Sequence, residues 1–223
     1  MPEKSFERVA VIGDGGWGTT LAMLLFKRGI KVALWSAFPE HVDELRRNGE
    51  NRRYLPGIKL PKGLFVTADP FEAARGAQLA VSVVPTQFLR KVAQTFEDAL
   101  DGAVPIVSAT KGIEIETFQT PSEILTEVLG GRPIAVLSGP SHAEEVAIGL
   151  PASVVVASSD EALARAAQAT LSAGNFRIYT HKDPKGAELG GALKNVIAIA
   201  AGIADGLGLG DNAKAALLTR GIV

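Results

Sequence analysis

Three glycines near the beginning of the sequence have a spacing that suits phosphate binding. Gly13, Gly15 and Gly18 form the pattern Gly-x-Gly-x-x-Gly within VIGDGGWGTTLAMLL, between a run that predicts a strand and a run that predicts a helix. In this context the first glycine permits a tight turn, the second lets the backbone approach a pyrophosphate, and the third lets helix and strand pack closely. The amides that open the helix would attract the phosphates. The pattern favours a dinucleotide site, and the alternative is a tight turn without a ligand.

Two lysines lie in positions where an ammonium group needs an explanation. Lys111 follows a predicted strand in SATKGIE, and Lys194 lies among small and apolar residues in ELGGALKNVIAIAAG. Gly190 and Gly191 lie one helical turn before Lys194, so a ligand or another backbone segment could approach this side of the helix. We therefore expect Lys194 to lose part of its hydration. It could move a proton in a reaction, or its stem could extend back to water; Lys111 could contact a ligand or be a solvated loop residue.

A further segment, LSGPSHAEEVA, combines the end of a strand, a Gly-Pro turn and the beginning of a helix. Ser141, followed three residues later by Glu144, fits a capping box, in which each side chain binds the backbone amide of the other residue. Capping explains this serine about as well as a substrate contact does. Gly139 before Pro140 indicates a backbone position that another group approaches closely.

The elements that would position these residues alternate between strands and helices. Apolar runs predict strands over residues 9–13, 31–35, 65–67, 78–84, 105–108, 133–137, 152–157 and 176–179. Helices are predicted over residues 17–28, 39–48, 86–100, 121–129, 141–148 and 160–173. Continuous Val, Ile and Ala runs are typical of parallel strands buried on both faces. The repeated units predict an α/β fold with a doubly wound, largely parallel Rossmann-type sheet, whose ligands bind at the carboxyl ends of the strands.

The pattern changes near residue 183. From there to residue 223 the sequence predicts only helices, broken at GLGLGD, residues 206–211. We therefore expect a dinucleotide-binding domain over residues 1–183 and the beginning of an all-helical substrate domain over residues 184–223. About 40 residues cannot easily bury a core of their own. These helices therefore pack on the sheet domain or on a partner, or the domain is truncated, which is the expectation here.

Composition and charge exclude several kinds of site. The 223 residues carry a formal net charge of −1, which offers no general attraction for nucleic acid or an anionic membrane. Because there is no cysteine, the chain has no disulfide, thiolate zinc site or cysteine nucleophile. His41, His142 and His181 are too widely separated to suggest a metal site. We expect a cytoplasmic protein with no metal, no nucleic-acid partner and no membrane insertion.

The choice between NAD and NADP stays open. An acid at the end of the second strand normally holds the NAD ribose, but that strand ends in WSA, residues 35–37, without an acid or a neighbouring arginine. Arg46, Arg52 and Arg53 lie in nearby segments and could approach a 2′-phosphate. The expected cofactor is therefore NAD or NADP.

Taken together, six segments resemble the NAD(P)-dependent glycerol-3-phosphate dehydrogenase family. They are GDGGWGTTLA, NRRYLPG, SVVPTQFL, SATKGIE, LSGPSHAEEVA and ELGGALKNVIAIAAGIADGLGLGDNAKAALLTRG, in the family's order from residue 13 to residue 221. The resemblance implies an oxidoreductase that transfers a hydride reversibly between NAD(P)H and dihydroxyacetone phosphate, giving sn-glycerol 3-phosphate for glycerophospholipid synthesis. The implied partner is a small phosphorylated substrate. The sequence does not decide the oligomeric state, and a homodimer is one of the options.

The resemblance also implies roles for individual residues. Lys194 would be the catalytic acid and base. Substrate would be bound by Lys111, Gly139, Ser141, Lys194 and Asn195, and the dinucleotide by Gly13, Gly15, Gly16, Trp17, Gly18, Lys111 and Ala143. Many members of the family have a basic residue that suits a 2′-phosphate where this chain has Ser36 and Ala37. The resemblance therefore gives no preference for NADP.

The family's pattern continues with a helical domain that supplies an aspartate and a Ser-Arg-Asn stretch for substrate and cofactor. No Ser-Arg-Asn stretch occurs in these 223 residues. A third function, that of a related reductase acting on a hydroxy acid or a sugar acid phosphate, is disfavoured by SATKGIE and LSGPSHAEEVA. The sequence therefore leaves two main functions open. One is the dehydrogenase, with this chain as an inactive fragment of a longer enzyme or as a short enzyme in its own right. The other is a truncated dinucleotide-binding module without turnover.

Overall fold

Eight strands form one sheet within residues 5–222, which the computed structural model describes; residues 1–4 and 223, which the predicted domains include, lie outside the described residues. The strands are β1 (Arg8–Ile12), β2 (Lys31–Trp35), β3 (Phe65–Thr67), β4 (Leu79–Ser82), β5 (Ile106–Ser108), β6 (Ile134–Ser138), β7 (Ala152–Ala157) and β8 (Phe176–His181). Their order across the sheet is β3-β2-β1-β4-β5-β6-β7-β8. All neighbours are parallel except β6 and β7, which are antiparallel. The predicted doubly wound, largely parallel sheet is confirmed.

Helices connect these strands and follow the last one. In the described part of the chain they are α1 (Gly16–Lys27), α2 (Pro39–Asn48), α3 (Pro70–Ala74), α4 (Thr86–Thr95), α5 (Pro121–Leu129), α6 (Ala143–Ala147), α7 (Glu161–Leu171), α8 (Pro184–Gly206) and α9 (Gly210–Ile222). Sequence analysis missed the short helix α3, and α4 ends five residues before the predicted helix 86–100 does. The helical break predicted at residues 206–211 is confirmed.

The core consists of two apolar clusters, one on each face of the sheet. Val9 and Val11 of β1 pack in one cluster with residues of α1, α2 and α7, whereas Ile12 packs in the other with residues of α3, α4 and α5. Alternate residues of a strand point to opposite faces, so the strands are buried on both sides. This is the reason that their sequences read as continuous apolar runs.

The long helix α8 contacts β6 and β7 and packs against α9. By length and composition alone it could cross a membrane, with a mean hydropathy of 1.3 over its most apolar window, and 11% of that window is buried. Val196, Ile199 and Ile203 are exposed on it. The helix is therefore attached to the sheet along its first turns, and its later half presents an apolar surface.

Candidate active site

The glycine loop, residues 13–18, joins β1 to α1 at the carboxyl edge of the sheet. Gly13 has a φ of +113°, a conformation that favours glycine, and a Cβ added there would lie 2.8 Å from the carbonyl oxygen of Val83. A Cβ added at Gly18 would collide with the carbonyl oxygen of Gly13. The tight turn and the close packing of helix on strand, predicted from these two glycines, are therefore confirmed.

The outer side of the glycine loop is suited to an anion. A Cβ added at Gly15 would meet no atom within 4 Å, so a ligand can approach the backbone here. Gly15 is the N-cap of α1; no side chain caps this helix, and its first turn carries no acidic residue. Amides at an uncapped helix N-terminus attract phosphate. The residues present therefore fit the pyrophosphate of a dinucleotide.

On its inner side the loop is held by four buried polar residues: Asp14, which belongs to the loop, and Thr19, His41 and Asn51. We call them the Asp14 cluster. One carboxylate oxygen of Asp14 lies 2.6 Å from Nδ1 of His41. The side-chain amide of Asn51 donates to the carbonyl oxygen of Asp14 at 2.7 Å and to Oγ1 of Thr19 at 2.8 Å. His41 is 27 residues and Asn51 is 37 residues from Asp14. Sequence analysis missed this cluster because no local pattern signals such distant partners.

Gly16, Trp17 and Ala143, all predicted dinucleotide contacts, lie around the first turn of α1. A Cβ added at Gly16 would lie 2.5 Å from the carbonyl oxygen of Tyr54 and 3.4 Å from Cβ of Ala143. The Trp17 ring packs edge-on against Phe176, with ring centroids 5.7 Å apart. Ala143 therefore lies beside the glycine loop, whereas the Trp17 ring is partly buried and packs against the core.

The residues considered for the choice between NAD and NADP have different surroundings. Ser36 is fully buried, and its hydroxyl accepts a hydrogen bond from a backbone amide two residues further on. Arg46 donates to a backbone carbonyl of β3 at 2.6 Å. The guanidinium of Arg53 lies 5.1 Å from the centre of the Tyr54 ring. Since Arg46 is bound to β3, the exposed arginines Arg52 and Arg53 are the better candidates for a 2′-phosphate contact.

A cavity of about 500 Å³ lies between α8 and the end of β6. Lys111, Gly139 and Lys194, which were predicted from three separate segments, line it together with His181 and Gly191. We call it the lysine cavity. The segments that follow β5 and β6 therefore meet at the carboxyl edge of the sheet, where ligands are expected to bind.

Lys111 reaches from the loop after β5 to the residues after β6. Its Nζ donates to the carbonyl oxygen of Gly139 at 3.1 Å and lies 3.4 Å from Oγ of Ser141. Partial burial lowers the pKa of Lys111, and the positive charge of Lys194 lowers it further. A bound anion would relieve the repulsion between the two ammonium groups. The lysine cavity is therefore suited to a small anionic ligand.

Lys194 lines this cavity but is exposed, so the expected loss of hydration is wrong. The reason is that none of the described residues covers α8 on this side. The close approach predicted for the helix is present at Gly191, where an added Cβ would lie 2.9 Å from Oγ of Ser138, whereas Gly190 faces open space. Asn195 is exposed and is not among the residues that line the cavity.

Gly139 and Ser141 follow β6 in a tight turn. Gly139 has a φ of +143°, and a Cβ there would lie 2.9 Å from Cα of Val154. The predicted close approach is confirmed, and the approaching group belongs to the antiparallel strand β7. The capping box predicted for Ser141 and Glu144 is wrong, because α6 begins two residues after Ser141 and no side chain caps it. Ser141 lies instead beside the ammonium group of Lys111.

Side chains of α4 hold the loop that carries Lys111. Oγ1 of Thr86 donates to the carbonyl oxygen of Lys111 at 2.7 Å. Arg90 donates to both carboxylate oxygens of Glu114, at 3.1 and 2.9 Å, and this hydrogen bonding lowers the pKa of Glu114. Sequence analysis missed these residues, which fix the loop on which Lys111 depends.

Glu188 attaches α8 to the rest of the fold. It is 4% exposed and accepts hydrogen bonds from the amide of Ser122 at 2.8 Å and from its hydroxyl at 2.6 Å. Ser122 lies in the first turn of α5, where the helix dipole favours a negative charge. This contact fixes the part of α8 that precedes Lys194.

Comparisons with known proteins agree with this geometry. The sequence model of the NAD-dependent glycerol-3-phosphate dehydrogenase N-terminus matches residues 8–164, and that of the C-terminus matches residues 183–223. A glycerol-3-phosphate dehydrogenase of the NAD(P)+ type from Geobacter sp. (strain M21) is 52% identical over 219 residues, which are 97% of this chain and 65% of the relative. The protein of the same name from Thermus thermophilus is 51% identical over 217 residues, which are 96% of this chain and 66% of the relative.

Solved structures give the same result. Glycerol-3-phosphate dehydrogenase from Coxiella burnetii is similar with a TM-score of 0.87 and 40% identity, over 99% of this chain and 67% of that one. The enzyme from Saccharomyces cerevisiae has a TM-score of 0.85 and 30% identity, over 98% of this chain and 68% of that one. The chain spans 65% of the length of two of its curated relatives. Because the two family models match in order over most of the sequence, the chain belongs to the NAD-dependent glycerol-3-phosphate dehydrogenase family.

Proposed function

We propose that this chain binds NAD or NADP and carries the dinucleotide-binding part of a dehydrogenase that interconverts dihydroxyacetone phosphate and sn-glycerol 3-phosphate. The observation that carries the proposal is that Lys111, Gly139 and Lys194 line one cavity in a fold whose glycine loop is open to a pyrophosphate. The names of the relatives support the choice of reaction.

In this proposal the two lysines share the work on the substrate. When bound, the nicotinamide cofactor supplies the hydride for C2 of the ketone. Lys194 holds a proton at Nζ and gives it to the C2 oxygen as negative charge develops there. The ammonium group of Lys111, held at the carbonyl oxygen of Gly139, stabilises the negative charge of the substrate. In the oxidising direction Lys194 takes the proton back.

The remaining residues bind and orient. The substrate contacts proposed besides the two lysines are Gly139, Ser141 and Asn195, and the proposed dinucleotide contacts are Gly13, Gly15, Gly16, Trp17, Gly18, Lys111 and Ala143. The position of Ala143 next to Gly16 supports its role. Asn195 has the weakest support, because it does not line the cavity.

The test is the oxidation of NADH and of NADPH by dihydroxyacetone phosphate, followed by the absorbance of the reduced nicotinamide. Lys194→Ala is expected to lower turnover by about 10³-fold, since that is the scale of general acid–base catalysis, and to leave the Kd for NADH unchanged. Lys182→Ala, which removes an exposed lysine just before α8, is the matched control. Unchanged turnover in Lys194→Ala would remove Lys194 from the mechanism.

A second candidate function is a dinucleotide-binding module without turnover. The exposure of Lys194 and of the apolar residues on α8 favours it, because reacting groups normally work where water is excluded. Binding of NADH without any oxidation by dihydroxyacetone phosphate would support this function. Calorimetry that detects no binding at millimolar NADH would contradict both candidates.

We further propose the division into residues 1–183 and 184–223, a homodimer, a cytoplasmic location and a role in glycerophospholipid synthesis. The start of the C-terminal family model at residue 183 supports the boundary, and the apolar surface of α8 supports an association with another chain. The mass of the particle in solution, measured by light scattering, tests the dimer.

A further inference from the structure

We propose that His41 is a positioning residue for the glycine loop: it holds the carboxylate of Asp14 on the α2 side of the loop and so prevents a buried negative charge from opposing a bound pyrophosphate. The inference rests on the proposed binding of a dinucleotide. It gives a function to the Asp14 cluster, which lies behind the loop and apart from the lysine cavity.

The first step concerns the charge of Asp14. This residue lies between Gly13 and Gly15, in the part of the loop that the pyrophosphate would approach, and it is only 7% exposed. A carboxylate this poorly hydrated is costly without a partner, and at this place it would repel phosphate oxygens. The loop can therefore bind a dinucleotide well only if something controls this charge.

The second step concerns the partner. Nδ1 of His41 lies 2.6 Å from Oδ2 of Asp14, and the ring is 3% exposed. His41 belongs to the first turns of α2 and packs edge-on against Tyr54, with ring centroids 5.5 Å apart. Because helix and aromatic contact both fix the ring, its Nδ1 can hold the carboxylate in one place.

The third step concerns the backbone of the loop. The carbonyl oxygen of Asp14 accepts hydrogen bonds from Asn51 at 2.7 Å and from Thr19 at 3.1 Å. Oδ1 of Asn51 accepts one from the amide of Tyr54 at 3.1 Å. The segment that carries Asn51 and Tyr54 is thus attached to the loop independently of His41. Loss of the His41 ring should therefore free the carboxylate while the loop itself remains in place.

The experiment compares His41→Leu, Asp14→Ala and the double variant with the unsubstituted chain. The Kd for NADH is measured by fluorescence titration, and the Kd for uncharged adenosine by NMR titration. We expect His41→Leu to raise the Kd for NADH about tenfold, equivalent to about 1.4 kcal/mol. The double variant should recover to within about twofold of the unsubstituted chain, because the unpartnered carboxylate is gone. Adenosine affinity should change by less than about twofold throughout.

His41→Asn and Asp14→Asn complete the set. The amide of His41→Asn can donate from nearly the position of Nδ1, so its Kd for NADH should stay closer to that of the unsubstituted chain than that of His41→Leu. Asp14→Asn removes the charge with His41 still present and should bind NADH at least as tightly as the unsubstituted chain. This variant also serves as the test if melting temperatures show that His41→Leu does not fold.

Three results would overturn the inference while leaving the proposed function intact. The first is a double variant that binds NADH as weakly as His41→Leu does. The second is a loss of adenosine affinity equal to the loss of NADH affinity, which indicates a merely structural role. The third is weaker binding of NADH by Asp14→Asn. If the unsubstituted chain itself fails to bind NADH, the proposed function falls, and this inference falls with it.

Discussion

The glycine loop and the helix α8 provide the two halves of the proposed site, and they are supported in different ways. The loop is backed by buried polar groups, with Asp14 7% and Asn51 0% exposed. On α8, by contrast, Glu188 is buried against α5 but Val196 and Ile199 are 63% and 64% exposed. The glycine loop is therefore supported by residues that precede α8, whereas the lysine cavity has α8 as a wall that the described residues support on one side only.

This difference shows which part of the chemistry each region determines. A site whose supporting groups are buried keeps its geometry without a ligand. A helix that is packed on one side only has a smaller free energy of local opening. We therefore expect dinucleotide binding to be robust in this chain and the position of Lys194 to respond to whatever covers α8.

The largest effect is expected from Gly18→Ala in the glycine loop. The added Cβ would collide with the carbonyl oxygen of Gly13, a backbone atom that cannot move without opening the turn. We expect a loss of about 3 kcal/mol in the free energy of unfolding, measured by urea denaturation, and a weaker affinity for NADH. An unchanged urea midpoint would show that the glycine loop is not the rigid region that its contrast with α8 requires.

A smaller loss is expected from Glu188→Ala, which tests the buried attachment of α8 to α5; an exposed ion pair between Lys185 and Glu123 joins the same two helices. The variant leaves the amide and hydroxyl of Ser122 without their acceptor, at a cost of about 2 kcal/mol. Proteolysis should then cut α8 sooner than the sheet domain. Glu44→Ala, at an exposed position on α2, is the control. If both variants resist protease equally, Glu188 does not hold the helix.

Gly202→Ala should have the opposite sign. Gly202 lies inside α8, and an added Cβ would meet no atom within 4 Å. Alanine is the better helix former, so the variant should gain about 0.5–1 kcal/mol in the free energy of unfolding. A loss instead of a gain would mean that this side of α8 is covered in solution, which would remove the contrast with the glycine loop.

The smallest effect concerns the charge that α8 brings to the lysine cavity. Burial is the first cause of the lowered pKa of Lys111 and the charge of Lys194 is the second, so Lys194→Gln should raise that pKa only part of the way to its ordinary value. Because a lowered pKa makes an ammonium lose its proton at lower pH, the affinity of the cavity for inorganic phosphate should fall with rising pH. In the variant, this fall in affinity should occur at higher pH.

NMR titration of the lysine side chains measures the pKa of Lys111 and the affinity for phosphate, with Lys214→Gln as the control. A pKa of Lys111 that moves down or not at all would show that α8 does not hold Lys194 near it.

The sequence predicted those features whose cause is local. Strands buried on both faces form continuous apolar runs, and the glycine spacing reflects the collision at Gly18 and the positive φ of Gly13. The strands and the turn at the glycine loop could therefore be predicted, as could the break between α8 and α9. The capping-box prediction failed. No box forms between Ser141 and Glu144, whereas a box between Thr120 and Glu123 is present and was not predicted.

Features that depend on distant partners could not be predicted. Asp14 and His41 are separated by 27 residues, and Glu188 and Ser122 by 66. A buried carboxylate has no sequence pattern of its own, because its partner is set by the packing of whole elements. The hydration of Lys194 was misjudged for a related reason: its apolar neighbours along the helix suggested enclosure, but enclosure depends on what packs across from them.

The reversed direction of β7 determines the edge of the sheet from which the chain enters α8. Because β7 runs against β6 and β8 runs with β7, the chain leaves the sheet at the edge opposite the glycine loop. The helix α8 then passes the end of β6, and both its first turn, at Gly186 and Ala187, and Lys194 line the lysine cavity. At about 1.5 Å per residue, the ten residues from Pro184 to Lys194 rise about 15 Å, close to the length of a five-residue strand at about 3.3 Å per residue. Inserting one helical turn before residue 194 would move the amine about 5.4 Å along the helix axis, so the spacing within this helix decides whether Lys194 still lines the lysine cavity.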